Sequence, residues 1–191
     1  MRAVAVAVAI SLLMGVAGSA SVNASPLQQP RAIAPCSEAI YTSAADAPPA
    51  PVRAIRVGPA VFNSLAGLTS PREIDKPTKS NPFYRVKSPL TILALAGQAV
   101  TLTIVRDQMT AAVIYNRRWL SRLADWHYRF ADVPRSVRLQ LCRDDERKQV
   151  RNTQYAGGFL LRKLGCITIQ VQVVGESRPY RSEVPIGIVR C

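Results

Sequence analysis

Histidine is the side chain that most often serves as a general base near neutral pH, and this 191-residue chain contains a single histidine, His127. Asp125 is close enough in sequence to orient an imidazole ring, but no serine lies in a Gly-x-Ser-x-Gly turn that would supply a nucleophile. The four cysteines are the other candidate nucleophiles, and they are expected to be oxidised. We therefore interpret His127 as a surface residue and predict no catalytic residue.

Carboxylates cluster once, in the charged run of residues 143–151 that contains Asp144, Asp145 and Glu146. A pair of carboxylates can hydrolyse glycosides, but basic residues flank this cluster, which favours a solvated, salt-bridged loop. The run also lacks the Asp-x-Asp-x-Asp-Gly spacing of a calcium loop. The adjacent glycines at 157–158 precede an apolar run without a Gly-Lys-Ser/Thr motif, so they do not predict a phosphate-binding loop. We predict no metal and no other cofactor.

Residues 1–24 have the composition of a secretory signal peptide: Arg2, an apolar run from residue 3 to about 17, and then small residues. Cleavage is expected after Ala20 or after Ala24. The apolar run is shorter than the roughly 20 residues of a spanning helix, which argues against an uncleaved anchor. Loss of Arg2 lowers the formal net charge from +13 to +12, so the mature chain remains strongly basic. We predict a secreted or envelope-associated protein.

The chain contains an even number of cysteines, namely the four residues Cys36, Cys142, Cys166 and Cys191. No Cys-x-x-Cys pair occurs, and one histidine is too few for the usual structural zinc sites. In an exported chain an even set of cysteines indicates disulfides, because the compartment beyond the membrane is oxidising. We expect two bridges.

Basic and aromatic residues are interleaved from residue 117 to 130. Read as a helix, this segment has an apolar stripe that ends at Phe130; read as a strand, Tyr128 and Phe130 alternate with polar residues. Both interpretations remain open, and we favour a short helical turn followed by a strand. Cations beside aromatic rings bind anionic groups by charge and stacking. The candidate binding patch is Arg117, Arg118, Trp119, Arg122, Trp126 and Arg129. The competing interpretation is aromatic residues in the core and arginines on a solvated face.

Several short segments alternate apolar and polar residues with the period of a half-buried strand: residues 100–104, 137–141 and 167–173. Residues 52–62 and 109–116 are further strand candidates, and residues 183–190 are expected to return beside 167–173. This pattern, with little helix, predicts an all-β domain over 52–191, an antiparallel β-sandwich. Residues 25–51 are rich in Pro and Ala and are expected to form an N-terminal arm that a disulfide at Cys36 ties to the domain.

The pair of β-rich runs SPLTILALAGQAVTLTIV, together with GCITIQVQVVG and VPIGIV, resembles the first strands and the last hairpin of bacterial immunoglobulin-like domains. The resemblance covers about Ser88 to Cys191 and implies an immunoglobulin-like β-sandwich. The hallmark disulfide between central strands is absent, because residues 100–105 contain no cysteine. The signal, the cysteine positions and the Tyr-Ala-Gly-Gly-Phe segment also resemble uncharacterised secreted proteins of high-GC Gram-positive bacteria, a resemblance that implies no activity.

This strand order brings Cys142, Cys166 and Cys191 to one end of the sandwich. We favour pairing Cys142 with Cys166 and Cys36 with Cys191. The alternative, Cys166 with Cys191 and Cys36 with Cys142, suits the last hairpin almost as well, and the sequence alone does not choose.

The function expected from the sequence is that of an exported, non-enzymatic binding module. Its expected partner is an anionic cell-envelope polymer or a protein; nucleic acid is not the expected partner, and the mature chain has no predicted transmembrane segment. Two alternatives remain: a secreted hydrolase of unfamiliar type, centred on His127 or a carboxylate pair, and a secreted inhibitor-like partner protein.

Overall fold

The computed structural model describes residues 32–43, 53–68, 74–78, 82–97, 99–105, 111–124, 130–143 and 149–191. The predicted signal peptide lies outside these residues, as do the two ends of the predicted arm, His127 with its neighbours at 125–129, and the acidic cluster at 144–146.

The described part of the chain is mostly β-structure, as the sequence predicts. Its thirteen strands, in chain order, are β1 (Ala32–Ala34), β2 (Ala39–Ser43), β3 (Ile55–Val57), β4 (Ala60–Phe62), β5 (Tyr84–Lys87), β6 (Leu90–Ile92), β7 (Ala99–Val105), β8 (Ala111–Val113), β9 (Ser136–Gln140), β10 (Asn152–Tyr155), β11 (Gly158–Leu161), β12 (Gly165–Val173) and β13 (Tyr180–Ile186). The one α-helix within these residues, α1, spans Arg117–Ala124, and short 3-10 turns include Cys36–Glu38, Ala94–Ala96 and Phe130–Asp132.

Sheet A contains five strands in the order β1-β9-β7-β12-β13. Its pairs are antiparallel except at one edge, where β1 runs parallel to β9. Along β7, Val100, Leu102 and Ile104 are buried, whereas Thr101 and Thr103 on the other side are partly exposed. This confirms the alternation predicted for residues 100–104, and β9 and β12 confirm it for 137–141 and 167–173.

The other strands form sheet B, in the order β2-β10-β6-β4-β3, and sheet C, in the order β5-β11-β8, and all of their pairs are antiparallel. The two sheets share two chain segments, because residues 84–92 supply β5 and β6 and residues 152–161 supply β10 and β11. β8 contacts β7 and β9, and β3 contacts β12 and β13. Sheets B and C therefore form one interrupted layer that packs against sheet A.

The adjacent glycines, Gly157 and Gly158, lie where the chain passes from β10 of sheet B to β11 of sheet C. The Ser88 amide donates to the Gly157 carbonyl oxygen at 3.0 Å, and the Ile114 amide donates to the Gly158 carbonyl oxygen at 3.0 Å. A Cβ atom on Gly158 would lie 1.8 Å from the Val86 carbonyl oxygen, a distance that no side chain can occupy. Glycine is required here because two backbone segments approach closely, which is a structural role rather than ligand binding.

The main core lies between the two layers and contains residues of all three sheets. Phe159 is at its centre, with its ring centroid 5.8 Å from those of Phe62 and Tyr115, the latter in an edge-on arrangement. All three are fully or almost fully buried. Each buried apolar side chain of this size stabilises the fold by about 1.5–3 kcal/mol, so this cluster holds the layers together.

Two disulfides are present, as predicted, but the pairing that we favoured is wrong. Cys36 is bonded to Cys142, with Cα atoms 5.4 Å apart, and Cys166 is bonded to Cys191, with Cα atoms 5.6 Å apart. Because β1 lies parallel to β9, the turns that follow these strands are side by side, and each contains a cysteine. The β12–β13 pairing returns the C-terminal residues to the start of β12, where Cys166 lies.

Two N-terminal segments differ in detail from the prediction. Residues 52–62 were expected to form one strand, but Gly58, with a φ of 58°, and Pro59 turn the chain between β3 and β4, which pair as a hairpin. Residues 32–43, within the predicted arm, form β1 in sheet A and β2 in sheet B. Main-chain pairing therefore ties this segment to both layers, in addition to the disulfide at Cys36.

Candidate functional site

The helix α1 begins at a well-formed N-cap. The Asn116 side-chain oxygen accepts the Arg118 amide at 2.9 Å, which satisfies one of the free donors of the first turn. The Asn116 side-chain amide in turn donates to the Ile33 carbonyl oxygen of β1. A Glu38 carboxylate oxygen accepts the Arg117 amide at 2.7 Å. The residues flanking the Cys36–Cys142 bridge therefore position the start of the helix.

The inner side of α1 packs on the outer side of sheet C through Trp119. Successive residues of β11 point to opposite sides, so that Phe159 and Leu161 join the main core while Leu160 faces outward. A second, smaller core forms there, and half-buried Trp119 packs against it. Its buried members are Ala112, Ile114, Phe130, Val133 and Leu160, and Phe83 also packs against them.

The outward side of α1 is basic. Arg117, Arg118 and Arg122 are exposed, and Arg118 and Arg122 are neighbours on the helix surface because they are four residues apart. The Arg122 guanidinium lies 5.1 Å from the Trp119 ring centroid, within the range of a cation–π contact. The helix thus presents exposed guanidinium groups, one of which lies over the Trp119 ring.

A second cation–π pair lies on the same side of sheet C. The Arg162 guanidinium is 4.6 Å from the Phe130 ring centroid, and the Phe130 ring is 5.0 Å from that of Phe83. We call Arg118, Trp119, Arg122, Phe130 and Arg162 together the aromatic–basic face. Sequence analysis missed Arg162, although counting alternate residues outward from Leu160 along β11 would have placed it on this side.

The structure places four of the six predicted patch residues on α1: Arg117, Arg118, Trp119 and Arg122. The other two, Trp126 and Arg129, lie outside the described residues. The predicted helical turn is confirmed over Arg117–Ala124. The predicted strand is not found at Phe130, which begins the 3-10 turn Phe130–Asp132; the rest of that predicted strand lies outside the described residues.

The two arginines that open α1 are unfavourable for the helix itself. The helix dipole places partial positive charge at the N-terminus, where cations cost about 0.3–1 kcal/mol each. The first turn contains no acidic residue, and Glu38 from the neighbouring turn is the carboxylate that contacts it. Helix stability therefore does not explain why Arg117 and Arg118 stand there.

A groove of about 320 Å³ separates the start of α1 from the Cys36–Glu38 turn and β2. Glu38 and Arg117 line it together with exposed Ile40 and half-buried Leu120. Among the described residues that line it, the groove brings one carboxylate beside one guanidinium but no imidazole or thiol. Its residues suit binding better than acid–base chemistry.

Two buried tyrosines brace the layer beneath this region. The Tyr115 hydroxyl donates to the Ser88 carbonyl oxygen at 2.7 Å, and the Tyr155 hydroxyl donates to the Gln140 carbonyl oxygen at 2.5 Å. Burial raises the pKa of both phenols well above its ordinary value. Both phenols therefore remain neutral hydrogen-bond donors at any physiological pH.

Two further features, a cluster of metal ligands and a membrane-spanning helix, are absent from the described residues. No group of three His, Cys, Asp or Glu residues comes together there in a way that could hold a metal ion. Within the same residues, no helix has the length and apolar character needed to cross a membrane.

The fold and site together define a class: a mostly β protein of two packed layers, with largely antiparallel strands, two disulfides and an arginine-rich helix on one outer face. Comparison of the chain with protein-family models, curated proteins and solved structures finds no match in any of the three.

Proposed function

We propose that the protein is an exported, non-enzymatic binding module that holds an anionic polymer of the cell envelope on its aromatic–basic face. The observation that carries this proposal is the row of exposed arginines on α1, two of which, Arg117 and Arg118, stand in the first turn, where cations lower helix stability. Sequences break local stability rules most often at functional sites.

The chemistry of the face suits a polymer with repeated phosphate or carboxylate groups. Arginine presents several donors in a planar fork that matches the oxygen atoms of such groups. Trp119 and Phe130 hold Arg122 and Arg162 by stacking, so these guanidiniums lose less freedom when they bind. The excess of 25 basic over 12 acidic residues adds a long-range attraction.

Export and the finer fold belong to the same proposal. Disulfides persist mainly in oxidising compartments, which agrees with the signal peptide expected from residues 1–24. Two layers of mostly antiparallel strands around one core support an immunoglobulin-like sandwich. The bridge Cys36–Cys142 follows two neighbouring strands of sheet A, the edge strand β1 and β9, rather than joining central strands of the two layers.

The test is binding of the mature protein to labelled polyphosphate and to purified cell-wall polymer, measured over a range of salt concentrations. We expect the parent affinity to fall steeply with salt, because each neutralised phosphate releases a counterion. The double variant Arg118→Gln/Arg122→Gln should bind at least about tenfold more weakly, and its slope of log affinity against log salt should be smaller by about 2.

A matched control separates this face from net charge alone. Arg178→Gln/Arg190→Gln removes the same two charges from exposed positions beyond β12 and near the C-terminus. This control should bind nearly as tightly as the parent protein. Equal losses in the two double variants would contradict the proposal, and so would parent binding that is indifferent to salt.

A further inference from the structure

The outer side of sheet A contains a second concentration of positive charge, unrelated to α1. A cavity of about 320 Å³ opens where β9 ends and β7 begins. Its lining residues are Gly97, Ala99, Arg138, Gln140, Leu141 and Arg143. From this cavity we propose a second site, which binds a single phosphate or sulfate group carried by a small polar ligand.

The charges in the cavity are one-sided. Arg138 and Arg143 contribute two guanidiniums and Gln140 contributes a neutral amide, whereas none of the lining residues that the structure describes is acidic. All three side chains are exposed, and within the described part of the chain neither guanidinium makes a hydrogen bond or an ion pair. No contact with a described residue therefore explains the two arginines, and within this part of the chain both side chains face solvent.

The backbone that carries these arginines is held by strand pairing and by a disulfide. β9 is paired on both sides, with β1 and with β7, which fixes the direction in which Arg138 leaves the sheet. Arg143 directly follows Cys142, which is disulfide-bonded to Cys36 and whose amide donates to the Thr153 hydroxyl at 2.9 Å. A backbone held in this way lowers part of the entropy cost of binding, so two arginines on such a support can hold a small anion.

The size and surroundings of the cavity limit the ligand. About 320 Å³ lies at the lower end of the usual range for ligand pockets, which fits one sugar-sized unit rather than a polymer segment. Thr101 faces Arg138 across the β7–β9 pair and is partly exposed on the same side. The guanidinium groups of Arg138 and Arg143 can share the oxygens of one tetrahedral anion. The Thr101 hydroxyl and the Gln140 side-chain amide can form hydrogen bonds with a sugar.

This site is independent of the polymer-binding proposal, because sheet A and sheet C face opposite ways across the core. The test is a titration of the isotope-labelled mature protein with inorganic phosphate, inorganic sulfate and glucose 6-phosphate, followed by amide NMR. We expect saturable shifts at Gly97, Ala99, Gln140 and Arg143, with glucose 6-phosphate binding more tightly than inorganic phosphate. Sodium chloride at matched ionic strength should not reproduce these shifts.

Variants decide whether the arginines hold the anion. Arg138→Gln/Arg143→Gln should weaken glucose 6-phosphate binding at least about tenfold, because it removes both charged donors. Arg118→Gln/Arg122→Gln should leave this affinity unchanged, whatever its effect on polyphosphate. Unsaturable shifts, shifts centred elsewhere on the protein, or an unchanged affinity of the Arg138/Arg143 variant would each overturn the second site.

Discussion

The outer face of sheet A and the outer face of sheet C both carry exposed arginines, but the two faces support them differently. On sheet A the described side chains project directly from paired strands, as Arg138 does beside Thr101. On sheet C a helix and a 3-10 turn cover the strands, and a small second core lies beneath them. The arginines of this covered face extend from α1 and from the end of β11.

This difference shows what each face depends on. Strand pairing alone fixes the position of Arg138. Arg118 and Arg122 depend on the local N-cap at Asn116. They also depend on Glu38 and on the packing of Trp119, which require distant parts of the chain to come together. The covered face should therefore be the more easily disrupted of the two.

Removing the disulfides one at a time should have the largest effect on stability, and it should affect the two faces differently. The Cys36–Cys142 bridge spans 106 residues of sequence and the Cys166–Cys191 bridge spans 25. On the chain-entropy account their loss costs about 4.7 and about 3.5 kcal/mol respectively. Urea unfolding of Cys36→Ser/Cys142→Ser and Cys166→Ser/Cys191→Ser measures both values. Polyphosphate binding should suffer mainly in the first variant, because that bridge holds the turn that contacts α1; equal loss in both would contradict this dependence.

Glycine substitutions compare the backbone beneath the two faces. Gly158→Ala should lower the free energy of unfolding by about 3 kcal/mol or more, because the new methyl group would collide with the Val86 carbonyl oxygen in the β5–β11 pair. Gly97→Ala, just before β7 of sheet A, has open space around it, but a φ of 80° with a ψ of −82° is unfavourable for an L residue, so backbone strain of about 1–3 kcal/mol is expected without a collision. Chemical denaturation of the two variants provides the measurement, and equal costs would exclude the clash as the cause.

Trp119→Ala tests whether the second core supports the covered face. Truncating this half-buried ring should cost about 2 kcal/mol, less than for a fully buried tryptophan. It should also weaken polyphosphate binding, because Arg122 loses the ring on which it stacks. Ser177→Ala, in the exposed turn between β12 and β13 of sheet A, is the control and should change neither quantity by much. Unchanged binding in Trp119→Ala would show that the helix holds its arginines without this anchor.

The buried tyrosines predict how stability depends on pH. Because burial raises the pKa of Tyr115 and Tyr155, the folded protein keeps their protons above about pH 10, where the unfolded chain releases them. The free energy of unfolding should therefore fall above that pH by up to about 1.4 kcal/mol per unit for each tyrosine. Unfolding measured between about pH 9 and 11 tests this. The double variant Tyr115→Phe/Tyr155→Phe should show a shallower fall, and an identical slope would rule out these phenols as its cause.

The smallest expected effect is at Arg118, where one substitution should change the stability of the protein and its polyphosphate binding in opposite directions. Arg118→Glu places an anion in the first turn of α1, so it should raise the free energy of unfolding by about 0.5 kcal/mol. The same change should reduce polyphosphate binding more than Arg118→Gln does. A thermal melt combined with the binding assay measures both effects. A loss of stability in Arg118→Glu would remove the argument that function, rather than the helix, requires this arginine.

Prediction from the sequence succeeded where the cause is local. The alternation of Val100, Leu102 and Ile104 with threonines defines a strand with one buried side, whatever it pairs with. The helix over Arg117–Ala124 follows in the same way from its apolar stripe. The pairing of the cysteines was predicted wrongly, because it depends on the parallel contact between β1 and β9, which joins segments more than 100 residues apart.

By itself the sequence determined the all-β character, the oxidised state of the cysteines and the basic charge, since these depend on periodicity and composition. Only the tertiary structure decided which charges lie together. It placed Arg162 over Phe130 on the side of α1, and Arg138 beside Arg143 on the opposite layer. Strand register fixes such neighbours, and the packing of the whole chain around one core, rather than any local segment, determines that register.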